Sequence, residues 1–462
     1  MKVAWAVLCM LICYSIHANA IEESMEFGRF GKVAVYHQTP HPGRVVLLVS
    51  GDAGWTQSVT EMALDLQTQD TLVVGIDVGH YIKKLNASGG RCTTPAVDLD
   101  SLSKYVQKKL GYQTYVPPVL LGYSSGAALV YAALVQSPPT TFAGAISMGF
   151  CPELPVLRPF CKMNGLESVR MTKKPGYSFL PAKKLPDPWI VLQGDMGQAC
   201  SQTAIATYAK SVPGAELVEL PKADRARNWT PQLRDALLHL TQPRKPVPGG
   251  PVVAHAEAIK DLPMVEVTSG ASKSLYFAIV ISGDGGWAGI DREIGAALAK
   301  NGVPVAGLNS LQYFWTARTP EGTSADLARI LKHYMAEWGR EKVILIGYSF
   351  GAEVLPFLLT RLPPDLASKV NEIVLLTPGR NADFEFHITS WLNVSGSNSL
   401  PVLPEIEKLK NPNLLCIYGD EEDDSLCPTL NPKTSKSWEM KGGHHLGGNY
   451  DVIAAEILKN AR

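Results

Sequence analysis

The chain repeats itself, and that constrains its fold more than any other feature. Val45–Trp55 (VVLLVSGDAGW) matches Phe277–Trp287 (FAIVISGDGGW), Leu120–Ala127 (LLGYSSGA) matches Leu345–Ala352 (LIGYSFGA), and Trp189–Asp195 (WIVLQGD) matches Leu414–Asp420 (LLCIYGD). Gly194 lies 70 positions after Ser124, and Gly419 lies 70 positions after Ser349. Three matches in one order with one spacing describe a duplicated domain, and the period is far too long for a solenoid. Between the copies, Gln242–Pro251 is rich in proline and glycine and reads as part of a linker spanning 242–261. The copies therefore occupy about 24–241 and 262–462.

Each copy alternates short apolar runs with helix-like stretches. Val45–Val49, Leu72–Ile76 and Val119–Leu121 read as buried parallel strands in the first. In the second, Phe277–Ile281, Val303–Gly307, Val343–Ile346, Glu372–Leu376 and Leu414–Tyr418 do the same, with helices over Ile290–Lys300 and Ser324–Trp338. Such alternation predicts an α/β fold: two tandem domains, each a mostly parallel, doubly wound sheet whose ligands sit at the strand carboxyl ends.

With 46% hydrophobic and 19% charged residues, the 462-residue chain has material for packed cores. Its Lys+Arg and Asp+Glu counts are both 43 and no lysine-rich or arginine-rich block stands out, which argues against a nucleic-acid binder and a polybasic membrane anchor. Lys2, the apolar run Val3–Ile16 and the small residues Ala18 and Ala20 read as a secretory signal peptide over 1–20, too short to span a bilayer. Its removal leaves six cysteines, which in an oxidising compartment favour disulfides. Cys416 and Cys427 are alone in the second half and are expected to pair; Cys92, Cys151, Cys161 and Cys200 allow three pairings. No cluster has metal-ligand spacing, and neither metal nor other cofactor is expected.

Gly347–Gly351 (GYSFG) fits the G-x-S-x-G pattern between an apolar strand and a helix-like run, the setting of a nucleophile elbow. Ser349 is the candidate nucleophile. Its base should be a late histidine. His445, in the glycine-rich loop Gly442–Gly448, is preferred because an apolar residue follows it, with His444 the alternative. The orienting acid should follow the strand Leu414–Tyr418, where five carboxylates run from Asp420 to Asp424. Asp424 is preferred for its DSLCP context, then Asp420 and Asp423. The oxyanion donors should be the N–H groups of Phe350 and Asp284. The first copy keeps Ser124 and Asp195 but has no histidine between His80 and His239. It reads as a degenerate site without a base.

The segments Gly347–Pro356 (GYSFGAEVLP) and Ser310–Glu321 (SLQYFWTARTPE), with the Gly442–His445 loop, resemble the VirJ/AcvB family. The resemblance implies a periplasmic α/β hydrolase of Gram-negative bacteria, linked to virulence and type IV secretion. Its long members hydrolyse aminoacylated phosphatidylglycerol to lysine or alanine and the lipid. The implied partners are an aminoacylated membrane phospholipid, met by peripheral membrane contact, and type IV secretion components; the alternative role is a non-enzymatic secretion factor. For such a substrate, Glu353 and Asp284 are candidate ammonium partners. Tyr313, Phe314 and Trp315 are a candidate lipid-facing wall, Trp287 is a further substrate-binding candidate, and Arg318 is a candidate phosphate partner.

Overall fold

A computed structural model describes residues 21–194, 200–220, 230–242, 258–270, 274–386, 399–410 and 413–461. The expected signal peptide and most of the expected linker lie outside the described residues.

The first lobe is built on eight strands: β1 (Ile21–Phe27), β2 (Gly31–His37), β3 (Arg44–Val49), β4 (Thr71–Ile76), β5 (Val119–Tyr123), β6 (Gly144–Met148), β7 (Trp189–Gln193) and β8 (Ala215–Glu219). They lie in the order β1-β2-β4-β3-β5-β6-β7-β8. The main sheet of the second lobe has seven among the described residues: β9 (Met264–Val267), β10 (Tyr276–Ile281), β11 (Val305–Leu308), β12 (Lys342–Tyr348), β13 (Val370–Leu376), β14 (Leu414–Gly419) and β15 (Ser435–Met440). Their order is β9-β11-β10-β12-β13-β14-β15, which is the first lobe's order without β1. In each lobe the strand before the repeat's first motif runs antiparallel (β2 to β4, β9 to β11) and those that follow are parallel. The chain is thus two tandem α/β-hydrolase folds.

Burial explains why the repeated motifs are apolar. β3, β5 and β6 have no exposed residue, and β10 and β12 bury all but their first one. Helices cover both faces, as parallel strands require, with α3 (Gly289–Lys300) and α4 (Pro320–Trp338) on opposite sides of the second sheet. The helices after the two repeated serines, α2 (Ser125–Gln136) and α5 (Phe350–Leu359), run almost entirely inside the protein.

The lobes share one apolar cluster, with Tyr115 of the first packed on Trp315 of the second at 5.3 Å between ring centroids. The Trp315 indole N–H donates to the Tyr112 carbonyl at 2.6 Å, and Gln312 donates to the Tyr115 carbonyl at 3.0 Å. Helix α1 (Pro95–Lys109) of the first lobe reaches the second through Lys108, which pairs with Glu385 at 2.8 Å. Disulfides join Cys92 to Cys161, Cys151 to Cys200, and Cys416 to Cys427.

Candidate active site

Ser349 stands between β12 and α5 at φ 49° and ψ −117°, a left-handed conformation that costs a non-glycine residue about 1–3 kcal/mol. Its flanks must be glycine. A Cβ on Gly351 would lie 2.0 Å from the Ile281 carbonyl oxygen, and one on Gly347 would lie 2.4 Å from that of Gly351. The Ser349 N–H is tied to the Leu376 carbonyl at 2.8 Å, which anchors the turn to β13.

Over this hydroxyl lies His444. Its Nε2 is 2.8 Å from Ser349 Oγ, and its Nδ1 is 2.5 Å from Glu422 Oε1. Glu422 is nearly enclosed, and its second oxygen accepts the Gly419 N–H at 2.9 Å. The end of β14 thus holds the carboxylate, which in turn holds the imidazole. A Cβ on Gly419 would lie 2.2 Å from the Gly442 carbonyl oxygen, so the acid loop and the histidine loop meet at a residue that has to be glycine.

Two sequence expectations are corrected here. His444, not His445, faces Ser349. The loop turns sharply through Leu446, at φ 50° and fully buried, while the Tyr348 hydroxyl donates to the His444 carbonyl at 3.2 Å. His445 lies beyond, 3.5 Å from the Tyr348 hydroxyl. The apolar residue that marks the loop is two positions after the facing histidine, not one. The carboxylate on that histidine is Glu422, not Asp424. After Glu422 the chain leaves toward the Cys416–Cys427 disulfide, and the Leu426 N–H bonds the Pro378 carbonyl. That path leaves Asp424 exposed on the side of Glu353. Asp423 is also exposed, and Asp420 instead pins the root of the histidine loop by accepting from Lys441 and the Gly442 N–H. Only a long side chain three residues beyond the end of β14's hydrogen-bonded run folds back far enough, a signal present in the acidic stretch.

Phe350 follows the serine at the first turn of α5, buried and packed on Phe314 at 4.9 Å. The Ser282–Trp287 loop runs beside the serine, since a Cβ on Gly283 would lie 3.7 Å from that of Ser349. Two groups absent from the sequence reading brace this loop. Buried Asp291 stands beside the Gly283 backbone, and burial pushes its carboxyl well above the ordinary range. Buried Lys104, from α1 of the first lobe, reaches the Asp284 carbonyl at 3.5 Å and pairs with Asp100 at 2.7 Å. Burial works against the Lys104 ammonium, yet Asp100 and Asp284 hold its pKa above the ordinary value.

Glu353 is recessed one turn after Ser349, its carboxyl against Gly379. Loss of water raises its pKa to about 8, and the charges of Asp284, Asp383 and Asp424 push in the same direction. Four acidic groups therefore share this corner.

The aromatic expectations fail on burial. Tyr313, Phe314 and Trp315 are at most 1% exposed, and Trp315 is spent in the contact between lobes, so none forms a lipid-facing wall. The Trp287 ring packs flat on Gly307, where a Cβ would lie 2.1 Å from it, and belongs to the core. Arg318 is exposed, with its guanidinium over the Tyr313 ring at 4.4 Å and bonded to the Tyr313 carbonyl.

The first lobe repeats the elbow, and among the described residues no histidine meets its serine. Ser124 has φ 52° and ψ −117°, and its hydroxyl donates to Asp52, the counterpart of Asp284, at 2.9 Å. Ser124, Asp52, Glu153, Met171 and Lys174 are among the residues around a cavity of about 190 Å³. Asp195 lies outside the described residues. Away from either serine, Glu266, His333 and Glu337 bring one ligand-type atom each within 4.8 Å of one another. There His333 pairs with Glu337 at 2.7 Å, and Glu266 accepts from the Tyr334 hydroxyl.

Among solved structures, the chain is similar to an α/β serine hydrolase homologue from Coxiella burnetii, at 18% identity over 47% of this chain and 96% of that one, TM-score 0.31. It is also similar to naproxen esterase from Bacillus subtilis, at 13% identity over 44% and 94%, TM-score 0.31. A lidless serine hydrolase from Xanthomonas campestris matches at 14% identity over 43% and 87%, TM-score 0.29. No curated protein sequence matches. The family model described as bacterial virulence protein (VirJ) matches residues 43–148 and 276–462, more than half of the chain and part of each lobe. The chain belongs to the VirJ family of bacterial virulence proteins.

Proposed function

We propose that this protein is a periplasmic serine esterase that removes the aminoacyl group from aminoacylated phosphatidylglycerol. The observation that carries the reading is the His444 imidazole held between Ser349 Oγ and the Glu422 carboxylate. Ser349 attacks the aminoacyl carbonyl as its proton passes to His444 Nε2. Glu422 keeps the other ring nitrogen protonated and stabilises the imidazolium. The N–H groups of Phe350 and Asp284 receive the developing oxyanion. His444 returns the proton to the departing glycerol oxygen; water then attacks the acyl-enzyme and releases the free amino acid.

The acyl group of such a lipid carries an ammonium beside its ester. The acidic corner formed by Asp284, Glu353, Asp383 and Asp424 suits that charge, and an incoming cation would favour the ionised form of Glu353. The export signal read at 1–20 would deliver the protein to the compartment where this lipid is met.

Thin-layer analysis of lysyl- and alanyl-phosphatidylglycerol incubated with purified protein tests the reading. Wild type and Ser124→Ala should release amino acid and Ser349→Ala should not. Failure of a fluorophosphonate to label Ser349 would favour a non-enzymatic secretion factor instead.

A further inference from the structure

The chain's zero net charge hides a local imbalance. Between 154 and 186 there are seven lysines and arginines and one acid, Glu167; between 78 and 93 there are three cations and no acid. The whole chain balances 43 against 43, so even with the flanking Asp77, Glu153 and Asp187 counted, ten cations to four acids is a local departure. Spread along the sequence, these cations form no block, which is why the sequence alone argued against a polybasic anchor.

Folding joins the two segments. The Cys92–Cys161 disulfide links them, the Leu157 N–H donates to Asn86 at 2.8 Å, and Asn86 donates to the Pro155 carbonyl at 3.3 Å. The longer segment leaves the sheet between β6 and β7 and forms a hairpin in which Ser168–Arg170 pairs with Tyr177–Phe179. Phe179 is buried, which turns the alternate residues Val169 and Leu180 outward. They are 48% and 37% exposed, and Leu157 is 61% exposed. Arg170, Lys173 and Lys174 crowd the hairpin tip, which is closed by a bond from the Met171 N–H to the Gly176 carbonyl. Lys183 and Lys184 follow Leu180, while Lys83, Lys84 and Arg91 stand on the neighbouring segment; all eight of these cations are exposed. Lys174 pairs with Glu153 at 2.7 Å, and the other seven make no ion pair among the described residues.

We infer that this cap on the first lobe is a docking surface for an anionic lipid bilayer. Cations gain attraction close to a negatively charged membrane surface, and exposed leucine and valine among them can enter the headgroup boundary. Protruding apolar side chains set among unpaired cations suit a surface that is anionic outside and apolar beneath. A soluble polyanion would satisfy the charges alone. From the proposed function the inference takes only that the protein meets a membrane; it gives the lobe without a base a task of its own.

Flotation of the full-length Ser349→Ala protein, which turns over no lipid, tests it. Vesicles of phosphatidylglycerol and phosphatidylcholine in equal parts should carry the protein up at 50 mM salt and release most of it at 500 mM, and pure phosphatidylcholine should carry little. Combining Lys173→Glu, Lys183→Glu and Lys184→Glu should lower partitioning by about tenfold or more. Leu180→Ser with Val169→Ser should weaken it at unchanged charge. Unchanged thermal melting establishes that the variants fold. Binding indifferent to lipid charge, a charge-reversed variant that floats like its parent, or capture by heparin without flotation would each overturn the inference. Because the flotation does not use Ser349, it can fail while the esterase assay succeeds, and the reverse.

Discussion

Replacing Glu422 by Gln keeps the side chain's size and removes its charge, and the surroundings dictate the outcome. One carboxylate oxygen is 2.5 Å from His444 Nδ1 and the other accepts the Gly419 N–H at 2.9 Å. A glutamine there has one acceptor for two positions. If its oxygen stays on the Gly419 N–H, its NH2 points at Nδ1 and forces the imidazole proton onto Nε2, which then faces Ser349 as a donor and cannot take its proton. In the other orientation two N–H groups meet at Gly419, which costs about 1–3 kcal/mol, and the imidazolium still loses its counter-charge. Loss of the orienting carboxylate in a serine–histidine–acid relay lowers kcat about 10⁴-fold, about 5 kcal/mol of barrier. Asp424→Asn, at an exposed position outside the relay, should leave kcat within about twofold of wild type, its cost falling on KM through the acidic corner. Initial rates on a short-chain aminoacyl ester, with fluorophosphonate labelling rates as a second readout, compare the two. Equal damage from both substitutions, or a Glu422→Gln enzyme within tenfold of wild type, sinks the relay assignment.

Further outcomes follow from the same geometry. His444→Gln should match Ser349→Ala in lost turnover, while His445→Gln should retain activity within a few-fold, measured as kcat/KM on the same ester. Gly351→Ala should fail to give stable protein, because the new methyl would sit 2.0 Å from the Ile281 carbonyl oxygen; yield of folded protein and the urea midpoint report this. Glu353 has a folded-state pKa of about 8 against an ordinary 4.5, so the stability tied to its proton is complete below about pH 4.5 and is lost as pH rises through about 8. Melting temperatures should therefore show Glu353→Gln gaining on wild type between pH 4.5 and pH 8.5, and a constant difference would contradict the placement. Lys104→Met should lower kcat about tenfold with little change in KM, because it releases the Asp284 backbone without touching the acyl pocket.

Much of the fold was legible because the repeat and the strand runs obey one rule: a strand covered on both faces must be apolar throughout. The elbow was legible because its glycines are required by backbone contacts only a few residues away. The rest of the site was harder to read because it depends on how far a loop travels after its strand ends. Asp420, Glu422 and Asp424 lie within five residues of one another. What separates them is a hydrogen bond to Gly419, an anchor on Gly442, and the disulfide that draws the chain aside after Glu422. The aromatic run Tyr313–Trp315 misled for a related reason: Phe314 is buried on Phe350 and Phe384 from distant segments, and the partners of Trp315, Tyr112 and Tyr115, belong to the other lobe. The cationic cap escaped notice because composition was averaged over the chain, whereas a disulfide and a hairpin decide which charges become neighbours.

The two serines bear on what an elbow motif means. Ser124 and Ser349 adopt nearly the same backbone, φ 52° and 49° with ψ −117° in both, and their flanking glycines face equally close backbone oxygens. Yet only one has an imidazole. The strained turn is therefore a property of how this strand passes into this helix, maintained by the packing of α2 and α5 against the sheet, and it persists where no base remains to use it. What differs lies after the last two parallel strands, where the second lobe has Glu422 and His444 and the first lobe's loops, from 194 to 229, contain no histidine. A G-x-S-x-G run in a duplicated chain thus reports the fold of each copy, while the loops two and three strands later decide which copy can react. Freed from that demand, the first lobe supplies Lys104 to its neighbour's site and carries the cationic cap.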